Sequence, residues 1–225
     1  MSASRPAPST PPKEGRARGQ HLDGDRMVSE AALRIDFVGG AVGFRLGQGE
    51  GRGGALARAM GLARGRNPSI VDATAGLGRD AFLLASLGAE VTLIERSPRV
   101  HAALAAALER AAKAGPDYAD IVGRMRLLEG DSRVLLPSLA PEAVLIDPMH
   151  PPRRKSALVK KEMRDLREVV GDDPDAAELI AVALEVARER VVVKWPAKAG
   201  PVPAPRPPSH AIAGKTTRYD VFLIR

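Results

Sequence analysis

From Ile70 onward, short apolar runs alternate with stretches of helical spacing, and this alternation constrains the fold more than any other feature of the chain. The runs are "SIVDA" (69–73), "EVTLIE" (90–95), "RMRLLEG" (124–130), "EAVLID" (142–147) and "RVVVKW" (190–195). Strand-length runs separated by helices predict β-α-β units and a mostly parallel, doubly wound α/β sheet. Over 98–113 the apolar positions Val100, Leu104, Ala107, Leu108 and Ala111 fall on one helical face, and Pro98 suits the first turn. Pro174 opens a second helix, "DAAELIAVALEVARER", with Asp173 as its N-cap. A final strand, "RYDVFLI" (218–224), follows the Pro-rich stretch 196–217, which is too long for a simple turn and is expected to be a mobile loop or a substrate lid.

The flanks carry less. Residues 1–26 are rich in Pro, Ser, Gly and charge, with little to bury, and read as a disordered basic tail. One domain is expected over 27–225, because 225 residues with 44% hydrophobic content make one sizeable core. At its start, "LRIDFV" and "AVGFRL" are β-prone runs around Gly39-Gly40, which predicts a hairpin over 33–46. "GQGEGRGG" (47–54) is either a connector or an anion-binding loop built around Arg52, and the helical "ALARAMGLARG" follows it.

The formal charge of +7 and pI near 10.1 favour a polyanionic partner such as nucleic acid. The absence of cysteine excludes disulfides, thiolate zinc sites and any cysteine nucleophile. No stretch reaches the roughly 18 apolar residues of a membrane span, and no signal-peptide pattern opens the chain, so a cytoplasmic location is expected.

"VDATAGLGRDAF" sets Asp72 at a strand end, Gly76 and Gly78 in a turn, and a helix beginning near Arg79-Asp80. Glycines there permit a tight turn and close backbone approach, and the helix N-terminus offers free N–H groups. Glu95 closes the next strand, where a carboxylate can accept both hydroxyls of an adenosine ribose. Gly76, Gly78 and Ala81 also satisfy G-x-G-x-x-A, so a nicotinamide-dependent oxidoreductase is the rival reading. S-adenosylmethionine (SAM) fits better, because Asp72 suits the methionine ammonium and would repel a pyrophosphate. Asp131-Ser132 could then bond the adenine amine, and Asp147 closes the fourth strand on the same sheet edge.

"DPMHPPRRKSALVKKEMR" (147–164) supplies a substrate side. Asp147, Pro148 and His150 match the order used by amino-group methyltransferases, with Met149 and His150 as departures from D-P-P-[YF]. In such an arrangement the carboxylate accepts from an exocyclic amine and the ring stacks on a flipped base. An aryl amine is a weak nucleophile, and orienting its N–H groups aims the lone pair at the methyl donor. No metal is required. Residues 153–167 then carry seven Lys or Arg against two acids, and the expected RNA contacts are Arg153, Arg154, Lys155, Lys160, Lys161 and Arg164, together with Arg52. A solvated helix face would show the same pattern, and a non-catalytic RNA-binding module would show the same charge.

"IDFVGGAV", "GEGRGGALARAMG", "VDATAGLGRDAFLLASLG", "LIERSP", "LIDPMHP", "KSALVKKEMR" and "RVVVKWP", in that order from about Leu33 to Tyr219, resemble the bacterial small-subunit ribosomal RNA guanine-N2 methyltransferases of the RsmJ family. The resemblance implies a class I methyltransferase fold, SAM as cofactor, and a guanine of 16S ribosomal RNA or the small subunit as substrate. It also implies cofactor contacts at Arg79-Asp80, Glu95-Arg96, Asp131-Ser132 and Asp147. The family usually has Phe where His150 stands, and a longer structured N-terminus.

Overall fold

The computed structural model describes residues 33, 35–39, 51–62, 65–149, 175–214 and 216–225. The alternating runs become a seven-stranded sheet of order β3-β2-β1-β4-β5-β7-β6. Its strands are β1 (Ser69–Asp72), β2 (Glu90–Glu95), β3 (Met125–Glu129), β4 (Ala143–Ile146), β5 (Arg190–Pro196), β6 (His210–Ala213) and β7 (Thr217–Leu223). β1 to β5 are mutually parallel, and β7 runs antiparallel to both β5 and β6. β4 is buried along its whole length, as a central parallel strand covered on both faces must be. The chain winds outward from β1 to β3, then returns to β4, so a crevice opens beyond the carboxyl ends of β1 and β4.

Among the described residues the helices are α1 (Ala55–Met60), α2 (Arg79–Ser86), α3 (Pro98–Ala112), α4 (Pro116–Gly123), α5 (Ser132–Leu139) and α6 (Ala176–Val186). The periodic face of α3 is its buried face, and Ser97 caps it by accepting from Val100 N–H. α1 stops at Met60, short of the expected run, because Gly61 at φ 86° takes the left-handed cap and turns the chain away. α6 begins at Ala176 with Asp175 at its N-cap position, while Asp173 and Pro174 lie outside the described residues. Two apolar layers result, one under α1 to α4 and one under α5 and α6. None of the described helices is long and apolar enough to cross a membrane.

One expectation lies largely outside the described residues and a second needs correction. The first concerns the hairpin over 33–46: the described residues 33 and 35–39 contain no strand. Asp36 Oδ1 accepts from the N–H groups of Val38 (2.9 Å) and Gly39 (3.0 Å), which turns the backbone there. Ile35 and Phe37 are nonetheless buried, and the Phe37 ring stacks on Phe82 of α2 at 4.5 Å. The rest of the hairpin region and the 1–26 tail lie outside the described residues.

The second concerns 196–217, which is pinned to the fold. Arg218 donates to the carbonyls of Pro196, Ala199 and Gly200, and Trp195 Nε1 also donates to Gly200 O. Val202 and Ala204 pack on the second apolar layer, and the stretch then supplies β6. Alternating prolines hid that strand, since the strand itself spans only His210–Ala213.

Candidate active site

The topology brings Asp72, Glu95, Asp131 and Asp147 to one cavity, each from the carboxyl end of a different strand from β1 to β4. Gly76 and Gly78 form the turn between β1 and α2 with φ angles of 51° and 66°, which only glycine adopts without strain. At Gly78 a Cβ would lie 2.7 Å from Leu104 Cδ1, so this glycine is also fixed by packing from behind the turn. Arg79, Asp80, Arg96, Ser132 and Pro148 complete the predicted set on the cavity wall.

Glu95 is buried at the end of β2, where its two oxygens accept from Gly76 N–H (2.9 Å) and Ser97 N–H (2.8 Å). One carboxylate therefore ties the glycine turn to the start of α3 and faces the cavity. Asp72 is only 3% exposed. Burial, and then the neighbouring Asp80 carboxylate, push its carboxyl up to about 7, against the opposing hydrogen bond from Thr74 N–H. A buried acid beside two further acids, Asp80 and Asp147, is a place for a cation.

Asp131 and Ser132 reach the wall, but their side chains already have work there. The Ser132 hydroxyl donates to Ala73 O at 2.6 Å, tying α5 to the end of β1. Asp131 caps α5 by accepting from Arg133 N–H, and its Oδ2 lies 2.7 Å from the Arg133 guanidinium. That guanidinium holds the Asp131 carboxyl below the usual carboxylate range. Arg96 bonds Asp175 at 2.9 Å, and Arg133 also reaches Asp175, so the N-cap of α6 is joined to β2 and α5.

Sequence reasoning missed Lys194, the charged residue of "VVVKW". Its ammonium lies 2.7 Å from both Asp80 Oδ2 and Asp147 Oδ2. Burial alone would lower its pKa, but Asp147 and Asp80 outweigh that and raise it above the usual lysine range. The available signal was a lysine at the end of a strand whose preceding valines read as fully buried. Thr74 was missed too; its Oγ1 accepts from Asp147 N–H at 2.7 Å.

Arg52, expected as an RNA contact, is a correction. Its guanidinium donates to Leu62 O (2.9 Å), Arg66 O (2.8 Å), Asn67 Oδ1 (2.5 Å) and Leu87 O (2.6 Å), so it fastens the loop to the body of the fold. His150, Arg153, Arg154, Lys155, Lys160, Lys161 and Arg164 lie outside the described residues.

The cavity wall holds six acids against Arg79, Arg96, Arg133 and Lys194. This donor set, with the buried carboxyl of Asp72 and the strand-end carboxylate of Glu95 on one wall, matches the cationic and hydroxyl-bearing parts of SAM in kind. It is poorly matched to a dinucleotide pyrophosphate, which would bring two negative charges beside Asp72 and Asp80.

Residues 18–224 match the family described as "Putative SAM-dependent methyltransferase". The chain is 65% identical over 198 residues, 88% of its length and 97% of the relative's, to a Brucella anthropi protein named "Ribosomal RNA small subunit methyltransferase J". It is 67% identical over 190 residues, 84% of its length and 91% of the relative's, to the protein of that name from Agrobacterium fabrum. Among solved structures, a SAM-dependent methyltransferase from Neisseria gonorrhoeae matches with TM-score 0.62 and 31% identity, over 84% of this chain and 72% of that one.

Proposed function

The chain belongs to the ribosomal RNA small subunit methyltransferase J family, and from that premise we propose that it is the SAM-dependent enzyme that methylates the exocyclic N2 amine of a guanine in 16S ribosomal RNA. The observation that carries the site assignment is the placement of Asp147. It follows β4, lines the cavity of Asp72 and Glu95, and is held at its N–H by Thr74 and at its carboxylate by Lys194.

SAM, when bound, supplies a methyl group made electrophilic by its sulfonium. Asp72 would hold the cationic amino-acid end, and Glu95 the ribose, exchanging its bonds to the glycine turn for hydroxyls. On the substrate side, Asp147 accepts one N–H of the guanine amine and the backbone after it accepts the other. This orientation takes the nitrogen lone pair out of conjugation and points it toward the donor. Once the nitrogen is methylated, its surplus proton leaves to solvent. The ring of His150 would stack on the base, and the basic run 153–167 would hold the phosphate chain. A cytoplasmic location follows from a ribosomal substrate.

The test presents ribosomal RNA from a strain lacking the enzyme, both naked and as assembled small subunits. Nucleoside digestion and mass spectrometry should show N2-methylguanosine in stoichiometric amount, and Asp147→Ala should lower turnover by about 10²-fold or more. Methyl on adenine, cytosine or a ribose hydroxyl would refute the guanine assignment.

A further inference from the structure

We propose that Lys194 is a positioning residue of the transfer step: clamped between Asp80 on the cofactor side and Asp147 on the substrate side, its ammonium fixes the carboxylate that receives the target amine. The proposal rests on the role given to Asp147 above.

A carboxylate that follows a strand end has two side-chain torsions to settle. Asp147 is held at both ends: Thr74 Oγ1 accepts from its N–H, and Lys194 Nζ meets its Oδ2. Lys194 is itself rigidly based. It follows Val191, Val192 and Val193, all fully buried, and stands opposite Tyr219 in the antiparallel register of β5 with β7. Its second partner, Asp80, sits in the first turn of α2, directly after the glycine turn. The clamp therefore joins the element that shapes the cofactor cradle to the group that orients the substrate. Reactive geometry is sensitive to displacements of about 1 Å, and two points of attachment remove that freedom.

Electrostatics points the same way. The titratable groups around the ammonium are Asp80 from α2 and Asp147 after β4, both in contact with it, Asp72 at the end of β1, which interacts through charge, and Tyr219, opposite in the β5–β7 register. Three acids packed together would compete to hold protons, and a protonated Asp147 would offer the amine a weaker acceptor. The lysine's cation, 2.7 Å from Asp147 and from Asp80, offsets their mutual repulsion. A purely structural lysine would act on stability and cofactor affinity together; a positioning lysine acts on turnover.

Lys194→Gln separates the two. The variant should bind SAM within about threefold of the wild type while kcat falls by about 10- to 100-fold. The acid limb of its kcat–pH profile should move upward, since the nearby cation is gone. Lys194→Arg should recover most of kcat and return the limb toward its wild-type position. Should the Gln variant not fold, Lys194→Met, whose unbranched chain fills the same space, gives the same comparison. Wild-type kcat in the neutral variant, or equal loss of SAM affinity and kcat with an unmoved acid limb, would overturn the proposal. Asp147→Ala assayed in parallel distinguishes the two levels. If Asp147→Ala turns over normally, the role of Asp147 fails; if it is impaired while Lys194→Gln is not, the positioning role alone fails.

Discussion

Asp72→Asn should make the cofactor-free protein more stable in alkaline buffer and poorer at binding SAM. The carboxyl titrates at about 7 when folded, against 3.8 for the ordinary side chain, so folding favours its protonated form. Between those values the unfolded chain has released a proton that the folded chain keeps, and stability falls as pH rises. At about 1.4 kcal/mol per pH unit, the full penalty is about 4 kcal/mol above pH 7. Roughly 2 kcal/mol of it falls between pH 5.5 and 8.5. Asparagine matches the shape and can still accept from Thr74 N–H, but does not ionise. Urea unfolding of both proteins at several pH values isolates the effect, because every other titrating group cancels in the difference. The variant's advantage should grow by about 2 kcal/mol across that range, while its SAM affinity falls by at least tenfold through the lost charged contact. A stability difference that stays flat with pH would refute the assigned burial and charge environment of Asp72. Unchanged SAM affinity would remove it from the cofactor site.

Glu95→Ala should weaken SAM binding by about 1–3 kcal/mol and also loosen the glycine turn, since the carboxylate bonds Gly76 and Ser97 as well. Calorimetry of a folded variant with wild-type affinity would exclude the ribose contact. Arg52→Met should lower stability by about 2–4 kcal/mol by leaving its acceptors without a donor, yet leave RNA affinity and its salt dependence unchanged. A flattened salt slope would restore Arg52 as a phosphate contact.

The sheet was legible because each parallel strand is buried on both faces and so appears as an unbroken apolar run. Four of the acids were legible because strand-end positions converge on one edge, and strand ends are visible in the sequence. What sequence could not show is which partner each side chain takes. Arg52 sits in a glycine-rich loop, the expected setting for anion binding, but four acceptors between Leu62 and Leu87 converge on it only in three dimensions. Ser132 and Asp131 pair with their own element and with β1, as cap residues often do. Lys194 was hidden for the opposite reason: strand patterning marks it as one polar position in an apolar run, and the acids that explain it are 114 and 47 residues away.

The placement of Phe37 has a consequence for the order in which the chain is built. Its ring is stacked on Phe82 and pressed toward the turn at Gly78, and Arg110 of α3 holds the carbonyl of Ile35. None of these neighbours exists when Phe37 is synthesised. At bacterial-type elongation rates of about 5–20 residues per second, the partners at 78 to 110 arrive several seconds later. The earliest apolar residues of the domain must therefore wait for their seat, and the back of the cofactor turn closes only when the first half of the sheet has formed. A polypeptide truncated before α3 would retain the glycine turn in its sequence and lack the packing that gives the turn its shape.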